Sequence, residues 1–101
     1  LRKQKGDGAT MRAELHGYSE CWLCKRTGWI EYHHIFQGAY KKASEKYGFV
    51  VPLCYLHHNV PPEGVHHNRT NNLKLKRWAQ ASFEETHTRD EFRAEFGKSY
   101  L

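Results

Sequence analysis

Cys21 and Cys24 are separated by two residues, and so are Cys54 and His57. Such a spacing lets one tight turn present two ligands to a single tetrahedral ion. Three thiolates and one imidazole would close a structural shell around Zn2+. The two units use all 3 cysteines of the chain. The offset of His57 from Cys54 repeats that of the first pair, which favours His57 over His58 as the fourth ligand. The plainer alternative, buried thiols beside a surface histidine, leaves both spacings to coincidence.

A second group of residues offers a different chemistry. The chain has 8 histidines, and six of them stand in adjacent pairs: His33-His34, His57-His58 and His66-His67. Asn68 follows the last pair. An imidazole titrates near neutrality and can take a proton from water at working pH. A divalent ion held by imidazoles can act as a Lewis acid on a phosphate ester. Hydrolysis of a phosphodiester needs a deprotonated water, a sink for negative charge and help for the leaving 3′-oxygen. Without that chemistry these are surface histidines on a strand, at a helix start and in a solvated loop.

Several elements must position these groups. Residues 29–36 are rich in aromatic and β-branched side chains and read as a strand. Adjacent strand residues point to opposite sides, so His33 and His34 can share a site only at a bulge or a strand end. Residues 39–47 read as a short helix with Tyr40, Ala43 and Tyr47 on one face, closed by Gly48. Residues 49–53 read as a second strand, with Pro52 at an edge or exit because it lacks an N–H.

A helix opens at Cys54, and Pro61-Pro62 limits it to a turn or two. His58 lies roughly 100° from His57 around that helix and can face a different ion. A turn carrying two ligands before a strand, followed by two more at a helix start, is the ligand arrangement of a treble-clef zinc site. After a polar loop over 59–70, Asn71 or Asn72 is expected to cap a helix over 73–85. Leu75, Trp78, Ala79, Ser82 and Phe83 form its apolar stripe. Thr88 and Glu91 make a capping-box pattern for a last helix carrying Phe92 and Phe96, ended by Gly97. Trp22, Trp29 and Trp78 are read as core residues.

At 101 residues the chain has room for one domain, read here over 15–101 behind a mobile basic arm over 1–14. Its apolar share of 39% argues against a large dry core, so a metal staple is expected. Lysine and arginine number 16 against 11 acidic residues, a net charge of +5 that points toward polyanions. Lys41, Lys42, Lys46, Lys74, Lys76 and Arg77, taken singly, read as a solvated face. No apolar run approaches the roughly 18 residues of a membrane span, and the basic start has no apolar segment behind it to make a secretory signal. An odd number of cysteines suits metal binding in a reducing compartment better than a disulfide framework. The first residue is Leu, so the sequence reads as a fragment or a trimmed chain.

Cys-x2-Cys, then His33-His34-Ile35 on a strand, then Pro52-Leu53-Cys54-x2-His57-His58 opening a helix, resembles the HNH, or ββα-metal, endonuclease superfamily in its zinc-stapled branch. The runs Ser44-Glu45-Lys46-Tyr47-Gly48 and Phe96-Gly97-Lys98-Ser99-Tyr100-Leu101 resemble small phage and prophage proteins related to recombination-enhancement nucleases. The resemblance implies an α+β fold: a small treble-clef zinc domain with a ββα-metal core and C-terminal helices. It implies a DNA endonuclease that hydrolyses phosphodiester bonds with Mg2+ or another divalent cation, besides its structural zinc.

Carried over by position, His33 and His58 would be ligands of the catalytic cation and His34 the general base. The family's middle Asn is missing, since Gly48-Phe49 stands in its place. Its role of orienting the base would pass to Asn59, Asn68 or a backbone carbonyl. The ligand many members carry four residues after the first helix histidine would be Pro62, which cannot ligate, so His66 is the substitute. The resemblance further implies DNA as partner, with phage recombination or packaging proteins beside it, no membrane, and a place in the host cytoplasm. The rival reading is a non-catalytic treble-clef zinc module that binds nucleic acid or protein.

Overall fold

The computed structural model describes residues 20–101. The expected arm, and the start of order expected near Leu15, lie outside those residues. Two strands, β1 (Ile30–His34) and β2 (Val50–Cys54), pair antiparallel, with Tyr32 opposite Pro52. β1 is shorter than the expected 29–36 at both ends, and β2 is shifted one residue on from the expected 49–53: the chain leaves the ladder before Ile35 and enters it after Phe49. The backbone of Ile35 still donates to Phe49 O at 3.0 Å. That bond fixes which residues face across the ladder, and it places Tyr32 and Pro52 in a pair without mutual hydrogen bonds. The missing N–H of Pro52 therefore costs the ladder nothing, and its carbonyl accepts from Trp22 N at 2.8 Å.

Between the strands, a 3-10 turn (Gly38–Tyr40) leads into α1 (Lys41–Lys46). Buried Ser44 ties α1 to the exit of β1: its hydroxyl donates to Phe36 O at 2.7 Å and accepts from Phe36 N at 3.0 Å. After β2 the chain turns directly into α2 (Tyr55–Asn59), with Cys54 at its N-cap.

The next helix, α3 (Arg69–Phe83), begins four residues before the expected start. Asn68, not Asn71 or Asn72, is the cap, and its Oδ1 accepts from Asn71 N at 2.8 Å. A side-chain oxygen three residues ahead of a free N–H satisfies it, so the helix extends back to the first asparagine able to do so. The last helix, α4 (Arg89–Phe96), opens on the Thr88–Glu91 capping box and closes at Gly97, whose φ is 92°.

The result is an α+β fold of one two-stranded sheet and four α-helices among the described residues. The core joins Phe49, Val51 and Leu53 of the sheet region to Leu75, Ala79 and Phe83 of α3 and to Phe92 and Phe96 of α4. Trp22 and Trp78 pack against it with ring centres 5.4 Å apart. Trp29 does not join the core: it is 75% exposed, and its Nε1–H donates to Glu31 at 3.0 Å. Buried Gln80 was not foreseen; it accepts from Tyr100 N at 2.7 Å and pins the C-terminal tail to α3. Among the described residues, no helix is long and apolar enough to cross a membrane.

Candidate functional site

Two clusters of possible metal ligands meet at α2, which gives His57 to one and His58 to the other. In the first, the ligand atoms of Cys21, Cys24, Cys54 and His57 all fall within 4.8 Å of one another. The first two residues sit on a tight turn closed by Lys25 N donating to Cys21 O at 2.8 Å. Lys25 adopts a positive φ of 68° there. The bond from Trp22 N to Pro52 docks this turn on β2, beside Cys54.

Cys24 and Cys54 have their sulfurs 3.8 Å apart, far from the roughly 2.05 Å of a disulfide. His57 Nδ1 lies 3.4 Å from Cys54 Sγ and 3.9 Å from Cys21 Sγ. A tetrahedral zinc with metal–sulfur bonds of about 2.3 Å has edges of about 3.8 Å between sulfurs and about 3.5 Å from sulfur to nitrogen. The four residues fit that ion and could hold it. Burial alone would push the Cys21 thiol up, but the backbone amides of Cys54, Cys24 and Leu23 together outweigh it and bring the thiol below its ordinary range. Burial and the neighbouring thiols push Cys24 the other way. The turn's own amides thus shift the Cys21 thiol toward ionisation, while burial shifts Cys24 away from it.

The second cluster contains His33, His58 and His66, whose ligand atoms also lie within 4.8 Å of one another. His33 comes from β1, His58 from α2, and His66 from the loop after it. The backbone brings that loop back onto α2: Val65 N donates to His57 O at 2.7 Å, and Gly64 N to Val60 O at 2.8 Å. Gly64 is the close-contact point, where an added Cβ would meet Val60 N at 2.7 Å. His66 Nε2 then stands 3.1 Å from His58 Nε2.

Glu31 organises the cluster from behind. Its Oε1 accepts from His58 Nδ1–H at 2.6 Å and from Asn59 Nδ2 at 2.8 Å. The bond from His58 holds the Glu31 carboxyl below the usual range, with the Trp29 bond adding to it. It also fixes the His58 proton on Nδ1 and turns the Nε2 lone pair toward His66. A carboxylate behind an imidazole is the usual support of a metal-ligating histidine. His33 is 3% exposed, and its Nε2 is buried without a hydrogen-bond partner. Burial first, then the neighbouring His58 and His66, hold its ring neutral, with a pKa lowered to about 3. Gln37 Nε2 donates to the other ring nitrogen, Nδ1, at 3.3 Å, and a buried ring nitrogen left without a partner costs about 1–3 kcal/mol.

His34 ends β1, and there both it and His33 border one pocket of about 280 Å³, with Tyr32, Gln37, Lys41 and His58. Position at the strand's end is what allows two adjacent residues to reach one space. His34 Nε2 is 2.7 Å from Glu45 Oε2 on α1. A carboxylate accepts, so the His34 proton is on Nε2 and the lone pair on Nδ1.

Neither asparagine expected beside His34 is bonded to it. Asn68 spends both ends of its amide at the start of α3, capping the helix and donating to Pro62 O at 3.0 Å. Asn59 supports Glu31 instead, donating to its Oε1. Sequence reasoning overlooked Glu31 and Glu45; acidic residues 27 and 11 positions from the histidines they bond give no periodic signal before the pairing of the elements is known.

No protein-family model matches this chain, and no match is found among curated proteins or solved structures.

Proposed function

We propose that this chain is a metal-dependent endonuclease of the HNH type, with a treble-clef zinc staple carrying a ββα-metal site. One observation carries the reading: His33, His58 and His66 converge, and His33 and His58 share a pocket with His34, whose Nε2 lies against the Glu45 carboxylate. Cys21, Cys24, Cys54 and His57 would hold zinc. His33, His58 and His66 would hold a divalent cation, Mg2+ or another. That cation would supply Lewis-acid charge for the phosphodiester and its leaving 3′-oxygen.

The chain's own groups account for the remaining steps. His34 Nδ1 takes the proton of a water as its oxygen forms a bond to phosphorus, while the P–O3′ bond breaks. Glu45 holds the ring in the tautomer that leaves Nδ1 unprotonated and steadies the imidazolium that results. Lys41, on the pocket wall, would meet a non-bridging phosphate oxygen.

The deciding experiment is plasmid cleavage with Mg2+, Mn2+, Ni2+ or Co2+, with His34→Ala as control. The parent should cut, and His34→Ala should cut roughly two to four orders of magnitude more slowly while keeping its zinc. A parent that cuts nothing with any of these ions would favour the non-catalytic zinc module.

A further inference from the structure

Arg69 and Lys76 lie seven residues apart on α3, two turns of helix, so their side chains leave one face about 10 Å apart along the axis. Lys98 reaches the same region from the tail beyond α4. Its Nζ is 5.2 Å from the centre of the Tyr100 ring, and Lys76 Nζ is 5.0 Å from it. The tail is fixed there by Arg77 Nε, which donates to Tyr100 O at 3.1 Å.

None of Arg69, Lys76 and Lys98 forms an ion pair with a carboxylate among the described residues. Lys76 is half-buried, and burial, then Lys98 and then Arg69, hold its ammonium below the ordinary lysine range. Arg69 opens α3 three residues after His66, so one end of this row of cations borders the imidazole cluster. Three like charges held together, one of them half-buried, repel one another. An anion at the same place relieves that repulsion, and a row of cations is best matched by a row of phosphates.

We propose that Arg69, Lys76 and Lys98 seat the phosphodiester backbone of a nucleic acid where it passes from the imidazole cluster across α3 and the C-terminal tail. The inference rests on the nucleic-acid reading above for the identity of the polyanion, but it does not depend on cleavage. It assigns the backbone to the C-terminal layer and gives Lys76 a task beyond solvation.

The test is binding of a short labelled DNA duplex to the full zinc-loaded chain, followed by fluorescence anisotropy at several salt concentrations without added divalent cation. Lys76→Gln and Lys98→Gln are each expected to weaken binding and to reduce the slope of log affinity against log salt by about 1, and the double variant by about 2. Lys76→Arg keeps the charge and should restore the slope; zinc content and thermal melting show that each variant is folded. Unchanged slopes in the folded variants would overturn the proposal, even for a parent that cleaves DNA. Reduced slopes in a parent that cleaves nothing would support the seat and reject the nuclease reading. Retention of the parent on acidic-lipid vesicles with no binding of the duplex would also overturn it.

Discussion

The chemistry of His58 depends on the carboxylate behind it more than on the histidine itself. Glu31 accepts from His58 Nδ1–H at 2.6 Å and so decides which nitrogen is free to ligate. Glu31→Gln keeps the size of the side chain but removes the charge, and its amide can present a donor to Nδ1. The lone pair facing His33 and His66 would then be less basic and less well directed. We expect divalent-cation affinity at this cluster to fall about 10- to 100-fold, the usual cost of losing such a support. Zinc at the cysteine site should be unchanged. Isothermal titration with Mn2+ against the zinc-loaded protein measures it, and equal affinities for parent and variant would remove Glu31 from this role. The sequence showed the cysteine pairs and the histidine pairs because their spacings are short and local. Glu31 and Glu45 escaped because their partners, His58 and His34, reach them only through strand pairing and the seating of α1.

At the scale of elements, turns and caps decide where the ligands stand. The two strands, the short helix after Cys54 and the capping box at Thr88 were all legible, since each has a local signature. The start of α3 was misread because three asparagines, Asn68, Asn71 and Asn72, can each cap a helix. The choice among them follows from the loop before, where Asn68 also donates to Pro62 O. That same loop brings His66 to His58, and its hinge of contact is Gly64 against the backbone of Asn59 and Val60. Gly64→Ala puts a methyl group into backbone atoms that cannot swing aside. We expect a loss of about 1–3 kcal/mol in stability, as for other overpacked buried sites. His66 should move away from His58, so Mn2+ affinity falls while zinc content stays at the parental level. A variant with parental Mn2+ affinity would show that the loop is not held by this contact.

At the scale of the whole molecule, the Cys21, Cys24, Cys54 and His57 cluster joins the first turn to the end of β2 and to α2. The turn carrying Cys21 and Cys24 reaches the sheet through a backbone bond from Trp22 N to Pro52 O, and reaches α3 through packing of Trp22 on Trp78. The sheet has only two strands, and a two-stranded ladder alone is marginal in water. The aromatic core under α3 and α4 supports one side of the sheet, but α2 is a helix of five residues, too short to persist unaided. Structural zinc contributes about 10–16 kcal/mol of apparent binding energy in small metal domains. Whole domains are stable by only about 5–15 kcal/mol, so removing the ion should leave little net stability. Chelation with a strong zinc ligand is therefore expected to unfold the chain, with loss of near-ultraviolet circular dichroism and a shift in tryptophan emission as Trp22 leaves Trp78. Because His57 and His58 are consecutive on α2, the imidazole cluster should come apart in the same transition. Excess Mg2+ should not restore the fold, whereas stoichiometric Zn2+ should. A chelated protein that keeps its native spectrum with no zinc by elemental analysis would show that the aromatic core suffices without the staple.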